Sequence, residues 1–400
     1  MIGLLVWLVA LDYNSFGTQL WLFKNANLTG NLYTDTLQNG DVAYFSVSPD
    51  VETRIFEVYD NWRPPYGMLV AVEPNTGRVL ALVGYNKKDP DHPWNKNLVL
   101  KNTFPAASVF KIATALAAVN HLGLKPEDTV VYRGKVHSTK PRIWLKSRYV
   151  HKCTFAQAFA YSNNSAFGLL ADKIGPDHLL ESAKRLGFVE IGPKDDPSKV
   201  KLFNTDIPAG TVIKAKKRYD VMLWGAGFIN STLSPIHGAL IAAAILNNGV
   251  MVKPNLLDSV VSKNGTVVWR AKVETLAVIA RGSELGILKE LLMSTVACGT
   301  AYKAFYDTAG KPVLQGVLAG GKTGTLTGRK PPEGRCEWFV GFGSHDAGNI
   351  ALASLVINKT RRKKRLKGSY PAEQAIEAFL GLSGGVPICA VGKPVEKKKR

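Results

Sequence analysis

Along the chain, the spacing of apolar and polar positions changes character twice. From Asp12 to about residue 65, polar and turn-forming residues break up short apolar runs. The stretches "NANLTGN" (25–31) and "LQNGD" (37–41) carry the turn signals, so mixed loop and short strand is expected there. Two β-rich runs follow in "MLVAVEPNTGRVLALVGY" (68–85), joined by Pro74-Asn75-Thr76-Gly77 as a hairpin. "SVFKIATALAAVNHLGL" (108–124) is dominated by Ala and Leu and ends at Gly123. Its apolar residues fall on every face, which predicts a buried helix. A second helical region, "TFAQAFAYSNNSAFGLLADKIG" (154–175), is interrupted at Ser162 to Asn164 by residues that favour turns. "SPIHGALIAAAILNNGV" (234–250) opens on Ser-Pro and closes on Asn-Asn-Gly, as a helix would.

The C-terminal third returns to strands. "VVSKNGTVVW" (260–269) reads as a hairpin around Asn264-Gly265, and "ELGILKELLMSTVA" (284–297) as a helix. "EWFVGFGSHDAGNIALASLVIN" (337–358) reads as two antiparallel strands joined at His345 to Gly348, before an amphipathic helix in "YPAEQAIEAFLGL". Early strands, central helices and late strands predict an α+β fold. The N-terminal and C-terminal strands are expected to share one antiparallel sheet. No internal repeat is present.

Composition narrows the setting. With 46% hydrophobic and 20% charged residues, 400 residues can bury a large core, so a folded chain rather than a disordered one is expected. The excess of 51 Lys+Arg over 31 Asp+Glu, a net charge of +20, favours contact with something anionic: nucleic acid, acidic lipid or a cell-wall polymer. Much of the excess sits in "KAKKR" (214–218), "RRKKRLK" (361–367) and the terminal "EKKKR", runs that are ordinarily solvated. No aromatic residues interleave with them, which argues against nucleic acid. Cys153, Cys298, Cys336 and Cys389 are scattered, with no CxxC pair and no histidine at metal-ligand spacing, so no metal centre is expected. They would permit disulfides without demanding them. "MIGLLVWLVAL" at the start holds about ten apolar residues, short of the ~20 that span a bilayer; it fits a shortened membrane anchor, a weak signal-peptide core or a buried strand, and the remnant of an anchor is the preferred reading.

Three short motifs carry candidate chemistry. Ser108 and Lys111 stand at i and i+3, on one helix face, at the start of a buried helix where free backbone N–H groups favour negative charge. An apolar setting disfavours a charged lysine, and the ~3 units needed to turn Lys111 into a base near neutrality lie within what burial achieves. Taken alone, the pair fits a capping serine and a snorkelling lysine as well, and Ser198 and Lys201 repeat the spacing in a charged loop. Ser162-Asn163-Asn164 is an S-x-N, a pattern that Ser262-Lys263-Asn264 also matches. Lys322-Thr323-Gly324-Thr325 follows two glycines. As a strand it would place Thr323 and Thr325 on one face, two hydroxyls for a carboxylate, with Gly324 admitting another backbone. A glycine-rich surface turn is the alternative.

In this order, "SVFK", "SNN" and "KTGT" resemble the penicillin-binding transpeptidase domain, within the penicillin-recognising serine enzymes. "VEPNTGRVLALV", "GAGFINSTLSPIHGALIAAAILNNGVMVKP", "ACGTA" and "EWFVGFGSH" add to the likeness, which runs from about residue 66 to 385. The resemblance implies a serine β-lactamase/transpeptidase-like fold, a central antiparallel sheet flanked by helices with a mainly helical subdomain, and no cofactor. It implies D,D-transpeptidase chemistry on peptidoglycan stem peptides ending in D-Ala-D-Ala, with an amine acceptor, and covalent capture by β-lactams. Ser108 would be the nucleophile, Lys111 its proton acceptor and Ser162 the relay to the leaving amine. Asn164 would hold the substrate amide and Lys111, and Lys322 would supply positive potential. Thr323 and Thr325 would bind the terminal carboxylate, and the N–H groups of Ser108 and Thr325 the oxyanion.

The implied organisation is a short segment over 1–65, the remnant of an anchor and its linker, then a transpeptidase domain over 66–385 and a basic tail over 386–400. Such an enzyme works at the outer face of the cytoplasmic membrane or in the periplasm. A class D-like β-lactamase shares "SVFK", "KTGT" and "WFVG", but those enzymes carry an apolar residue where Asn164 stands. A D,D-carboxypeptidase differs only in using water as acceptor. A β-lactam sensor that acylates once is the non-catalytic reading.

Overall fold

The computed structural model describes residues 11–328, 333–360 and 364–382. The initial apolar run up to residue 10, residues 361–363 of the basic run, Cys389 and the tail over 386–400 lie outside the described residues. Five strands form the central sheet: β1 (Tyr66–Val72), β2 (Val79–Asn86), β3 (Leu318–Gly328), β4 (Gly334–His345) and β5 (Gly348–Asn358). Their order is β3-β4-β5-β1-β2, antiparallel throughout, so the hairpin over 68–85 and the strands of the C-terminal third do share one sheet. β3 stands at its edge.

The period-2 alternation of these strands sorts their side chains into two cores. Met68, Val70 and Val72 of β1 enter the larger core, Leu69 and Ala71 the smaller one on the opposite face. The helix Pro235–Leu246 covers the first face and is apolar all round, as a helix enclosed by the domain must be. The helices Pro49–Trp62 and Ser369–Leu380 pack together on the other face. A helical region built around Lys111–Leu122, Phe155–Ala160, Asn164–Ile174 and Gly282–Ala297 lies beside the β3 edge. The α+β architecture follows the expectation.

The segment before residue 66 is more regular than expected. Instead of loop and short strand alone it contains the helices Phe16–Phe23 and Pro49–Trp62. The second has a readable start: Ser48 caps it, Pro49 occupies the first turn, and Asp50 and Glu52 face the helix dipole. Its buried Val51, Ile55, Val58 and Tyr59 recur at helical spacing. Val42–Phe45 pairs antiparallel with Leu257–Val261, and Phe16, Leu20, Phe23 and Phe45 join the larger core. Among the described residues, no helix is long and apolar enough to cross a membrane.

Candidate active site

Ser108 lies in the 3-10 turn Ala107–Phe110, which leads directly into the helix Lys111–Leu122. The turn is forced: Ala107 adopts a φ of 51°, a region that L residues avoid. Gly227, at φ 85°, makes room for it, since a Cβ there would sit 2.1 Å from the Ala107 carbonyl oxygen and 3.1 Å from the Ser108 nitrogen. On β3, packed against this turn, a Cβ on Gly324 would come within 3.2 Å of the Val109 nitrogen. The glycine in the third motif therefore lets β3 close on the serine turn.

Lys111 is fully buried, and its Nζ is the hub of the site. It lies 2.7 Å from Ser108 Oγ, 2.8 Å from Asn164 Oδ1, 2.9 Å from the Ala226 carbonyl oxygen and 3.4 Å from Ser162 Oγ. Burial, then the nearby Lys322, hold its pKa well below the ordinary lysine value. Among these partners, Asn164 Oδ1 and the Ala226 oxygen can only accept. A neutral Lys111 has two N–H bonds to give them, and its lone pair is then left for the Ser108 hydroxyl.

Ser162 and Asn164 come from the break between the helices Phe155–Ala160 and Asn164–Ile174. Ser162 sits at φ 53°, and Asn163 caps the second helix through the Ala166 N–H. That left-handed corner turns both side chains of the S-x-N toward Lys111. The Asn164 N–H donates to the Val136 carbonyl at 2.9 Å, which ties the motif to the segment after Arg133.

Lys322 is also fully buried. Its Nζ donates to the Thr323 carbonyl at 3.0 Å and stands over the Phe159 ring at 5.4 Å. Burial lowers its pKa to about 7. Thr323 and Thr325 share a face of β3 as expected, but neither hydroxyl is idle. Thr323 Oγ1 is hydrogen-bonded to Thr300 Oγ1, and Thr325 Oγ1 donates to Glu337 Oε2 at 2.8 Å across the β3–β4 ladder. Arg335 pairs with the other oxygen of Glu337 at 2.7 Å.

The eight residues singled out from the sequence thus lie on elements packed together, β3 against the serine turn and the helix Lys111–Leu122 against Asn164–Ile174, whereas Ser198 and Lys201 lie in an exposed loop. Thr300, Glu337 and the Ala226 carbonyl were missed as site groups. The first two lie inside "ACGTA" and "EWFVGFGSH", stretches that resembled the family without any role attached. Away from this site, potential ligand atoms of His121, His178 and Glu181 lie within 4.8 Å of one another, although the two histidines are far apart in sequence. Cys153, Cys298 and Cys336 are free thiols.

Residues 67–379 match the model of the penicillin binding protein transpeptidase domain. Penicillin-binding protein 3 of Bacillus subtilis is 26% identical over 82% of this chain, and the match covers 49% of its own length, about half. Peptidoglycan D,D-transpeptidase PbpA of Mycolicibacterium smegmatis is 23% identical over 82% of the chain and 69% of its own length. The crystal structure of PBPA from Mycobacterium tuberculosis superposes with a TM-score of 0.66 at 22% identity, covering 85% of this chain and 81% of that one. An imipenem acyl-enzyme complex of the same mycobacterial protein superposes with a TM-score of 0.64, also at 22% identity, over 85% and 80% of the two chains. The motif order, the grouping of the three motifs and the family match over most of the sequence lead to one conclusion: this chain belongs to the penicillin binding protein transpeptidase domain family.

Proposed function

We propose that the protein is a serine D,D-transpeptidase that cross-links peptidoglycan stem peptides ending in D-Ala-D-Ala and is trapped by β-lactams. The observation that carries this reading is the Lys111 hub. A fully buried amine at 2.7 Å from Ser108 Oγ, with two pure acceptors, Asn164 Oδ1 and the Ala226 oxygen, to take its N–H bonds, is arranged to take the hydroxyl proton.

The steps follow from the positions. Ser108 Oγ attacks the penultimate D-Ala carbonyl as its proton passes to Lys111 Nζ. Charge developing on the carbonyl oxygen is met by the N–H groups of Ser108 and Thr325. The C–N bond then breaks, and the departing D-Ala amine takes a proton from Lys111 through Ser162. An incoming amine reverses the sequence, losing its proton to Lys111 as it releases Ser108. The terminal carboxylate meets the potential of Lys322. Of the two hydroxyls in the Thr300–Thr323 pair, one gives its proton to the other, whose own proton remains free for that carboxylate. Thr325 can join by turning away from Glu337.

This chemistry places the protein where peptidoglycan is, at the outer face of the cytoplasmic membrane or in the periplasm. The net charge of +20 suits an anionic membrane or wall surface. The test is to mix the protein with a pentapeptide ending in D-Ala-D-Ala and an amine acceptor, and to follow products by mass spectrometry. Release of D-Ala with the acceptor joined to the peptide is expected. Release with water alone as acceptor would make it a carboxypeptidase, and rapid turnover of penicillin a β-lactamase.

A further inference from the structure

The sequence from Arg133 to Lys152 holds seven Lys and Arg residues, two histidines and no Asp or Glu. It folds as the short helix Pro141–Lys146 between the paired strands Thr129–Arg133 and Val150–Thr154. Its loops wall an open cleft of about 920 Å³, lined by Lys135, His137, Lys140, Arg142, Lys146 and Arg148. These six are exposed, and none of the five Lys and Arg residues has a carboxylate partner among the described residues. Elsewhere on the surface such partners are common: Lys214 pairs with Asp177, Arg218 with Asp172 and Lys184 with Glu190.

Nor is the cleft remote from the chemistry. Val136, in its wall, accepts the N–H of Asn164, and Ser165 Oγ bonds the backbone of Arg133 on both its N–H and its carbonyl. His137 also has its pKa lowered, first by burial and then by the Lys111 and Lys322 side chains nearby. Unpaired cations along one wall concentrate anions there, and a bound peptide extending from Ser108 past Asn164 would enter this space.

We propose that the cleft is an anion subsite for free carboxylates carried by the peptide whose acyl group reaches Ser108. The proposal rests on the D,D-transpeptidase reading and deepens it: the enzyme would select stem peptides whose side carboxyls are free over those whose side carboxyls are amidated. A phosphate-bearing wall polymer would satisfy the same cations. The peptide is preferred because the wall of the cleft is hydrogen-bonded to the second catalytic motif, whereas a polymer binding site has no need to adjoin it.

The test uses two pentapeptides ending in D-Ala-D-Ala that differ only in free or amidated side carboxyls. D-Ala release is measured at sub-saturating peptide for the full chain and for Lys140→Gln/Arg142→Gln/Lys146→Gln. The ratio of the two rates is internal to each protein, so a general loss of activity does not affect it. The full chain is expected to favour the free carboxylates by about 10-fold at low salt, less at high salt, and the triple variant to lose most of that preference. A ratio near one in the full chain, or an unchanged ratio in the variant, would overturn the subsite. Tighter binding of poly(glycerol phosphate) to the full chain than to the variant, without peptide discrimination, would assign the cleft to a polymer instead. If benzylpenicillin labels Ser108 but neither peptide releases D-Ala, the D,D-peptidase reading fails and the subsite fails with it.

Discussion

Replacing Asn164 by Asp tests whether Lys111 works as a neutral base. The change is nearly isosteric and places a carboxylate oxygen where Asn164 Oδ1 now stands, 2.8 Å from Lys111 Nζ. At an effective dielectric of about 20, unit charges 2.8 Å apart attract by about 6 kcal/mol, equivalent to roughly 4 pKa units. Desolvation of the new carboxylate, which is almost buried, takes back part of this, leaving an upward shift of about 3 units for Lys111. An ammonium cannot accept the Ser108 proton. Acylation at neutral pH should therefore fall about 1,000-fold and recover about tenfold per pH unit as the solution is made alkaline. The assay is the second-order rate of labelling by a fluorescent penicillin between pH 6 and 10, with Asn164→Ala as the control. The Ala variant loses positioning without adding charge, so its loss should keep the wild-type pH dependence. If Asn164→Asp acylates as fast as wild type at pH 7, or is slowed equally at every pH, Lys111 is not the proton acceptor.

Three further outcomes are expected. Gly227→Ala should destabilise the protein by about 2 to 4 kcal/mol in urea unfolding and slow penicillin labelling, because the added Cβ enters the Ala107 carbonyl at a positive φ; wild-type values for both would refute the claim that this glycine shapes the serine turn. Glu337→Gln keeps an acceptor for Thr325 and removes a negative charge beside the carboxylate subsite, so labelling by carboxylate-bearing β-lactams should rise several-fold and labelling by their esters should not; equal changes for both would sink the electrostatic account. Glu373 is fully buried with one oxygen unpartnered, and burial pushes its pKa up to about 8, so the stability it contributes is complete below its unfolded value near 4.5 and is lost as pH rises through about 8. Glu373→Gln should remove that slope, leaving it roughly 3 to 5 kcal/mol more stable than wild type at pH 9 and little different at pH 4.5, and parallel stability curves would contradict the assignment.

Much of this was legible in the sequence, and the limits have physical causes. Lys111 stands out because an ammonium in an Ala-rich helix lacks a local reason to be there, and Thr323 and Thr325 share a strand face because the period of a strand is two. The hairpin over 68–85 and the helical break at Ser162 to Asn164 are local features that turn residues announce. Partners fixed by tertiary contact left no such mark. Thr300 reaches Thr323 from the end of the helix Gly282–Ala297, and Glu337 meets Thr325 through strand register, so no short window contains either pair. The Ala226 carbonyl is invisible for a different reason: a backbone acceptor has no residue type to read. By contrast the helix Pro49–Trp62 carried its cap, its acidic first turn and its periodic apolar face openly, among polar residues that resembled loop.

The central claim is that Ser108, activated by Lys111, forms a covalent acyl-enzyme. The most direct measurement is an intact-mass time course after mixing the protein with benzylpenicillin, followed by peptide mapping. A long-lived adduct of one penicillin, mapped to Ser108 and absent from Ser108→Ala, is the predicted result. An adduct that persists in the alanine variant, or no adduct on the folded wild-type protein, would contradict it.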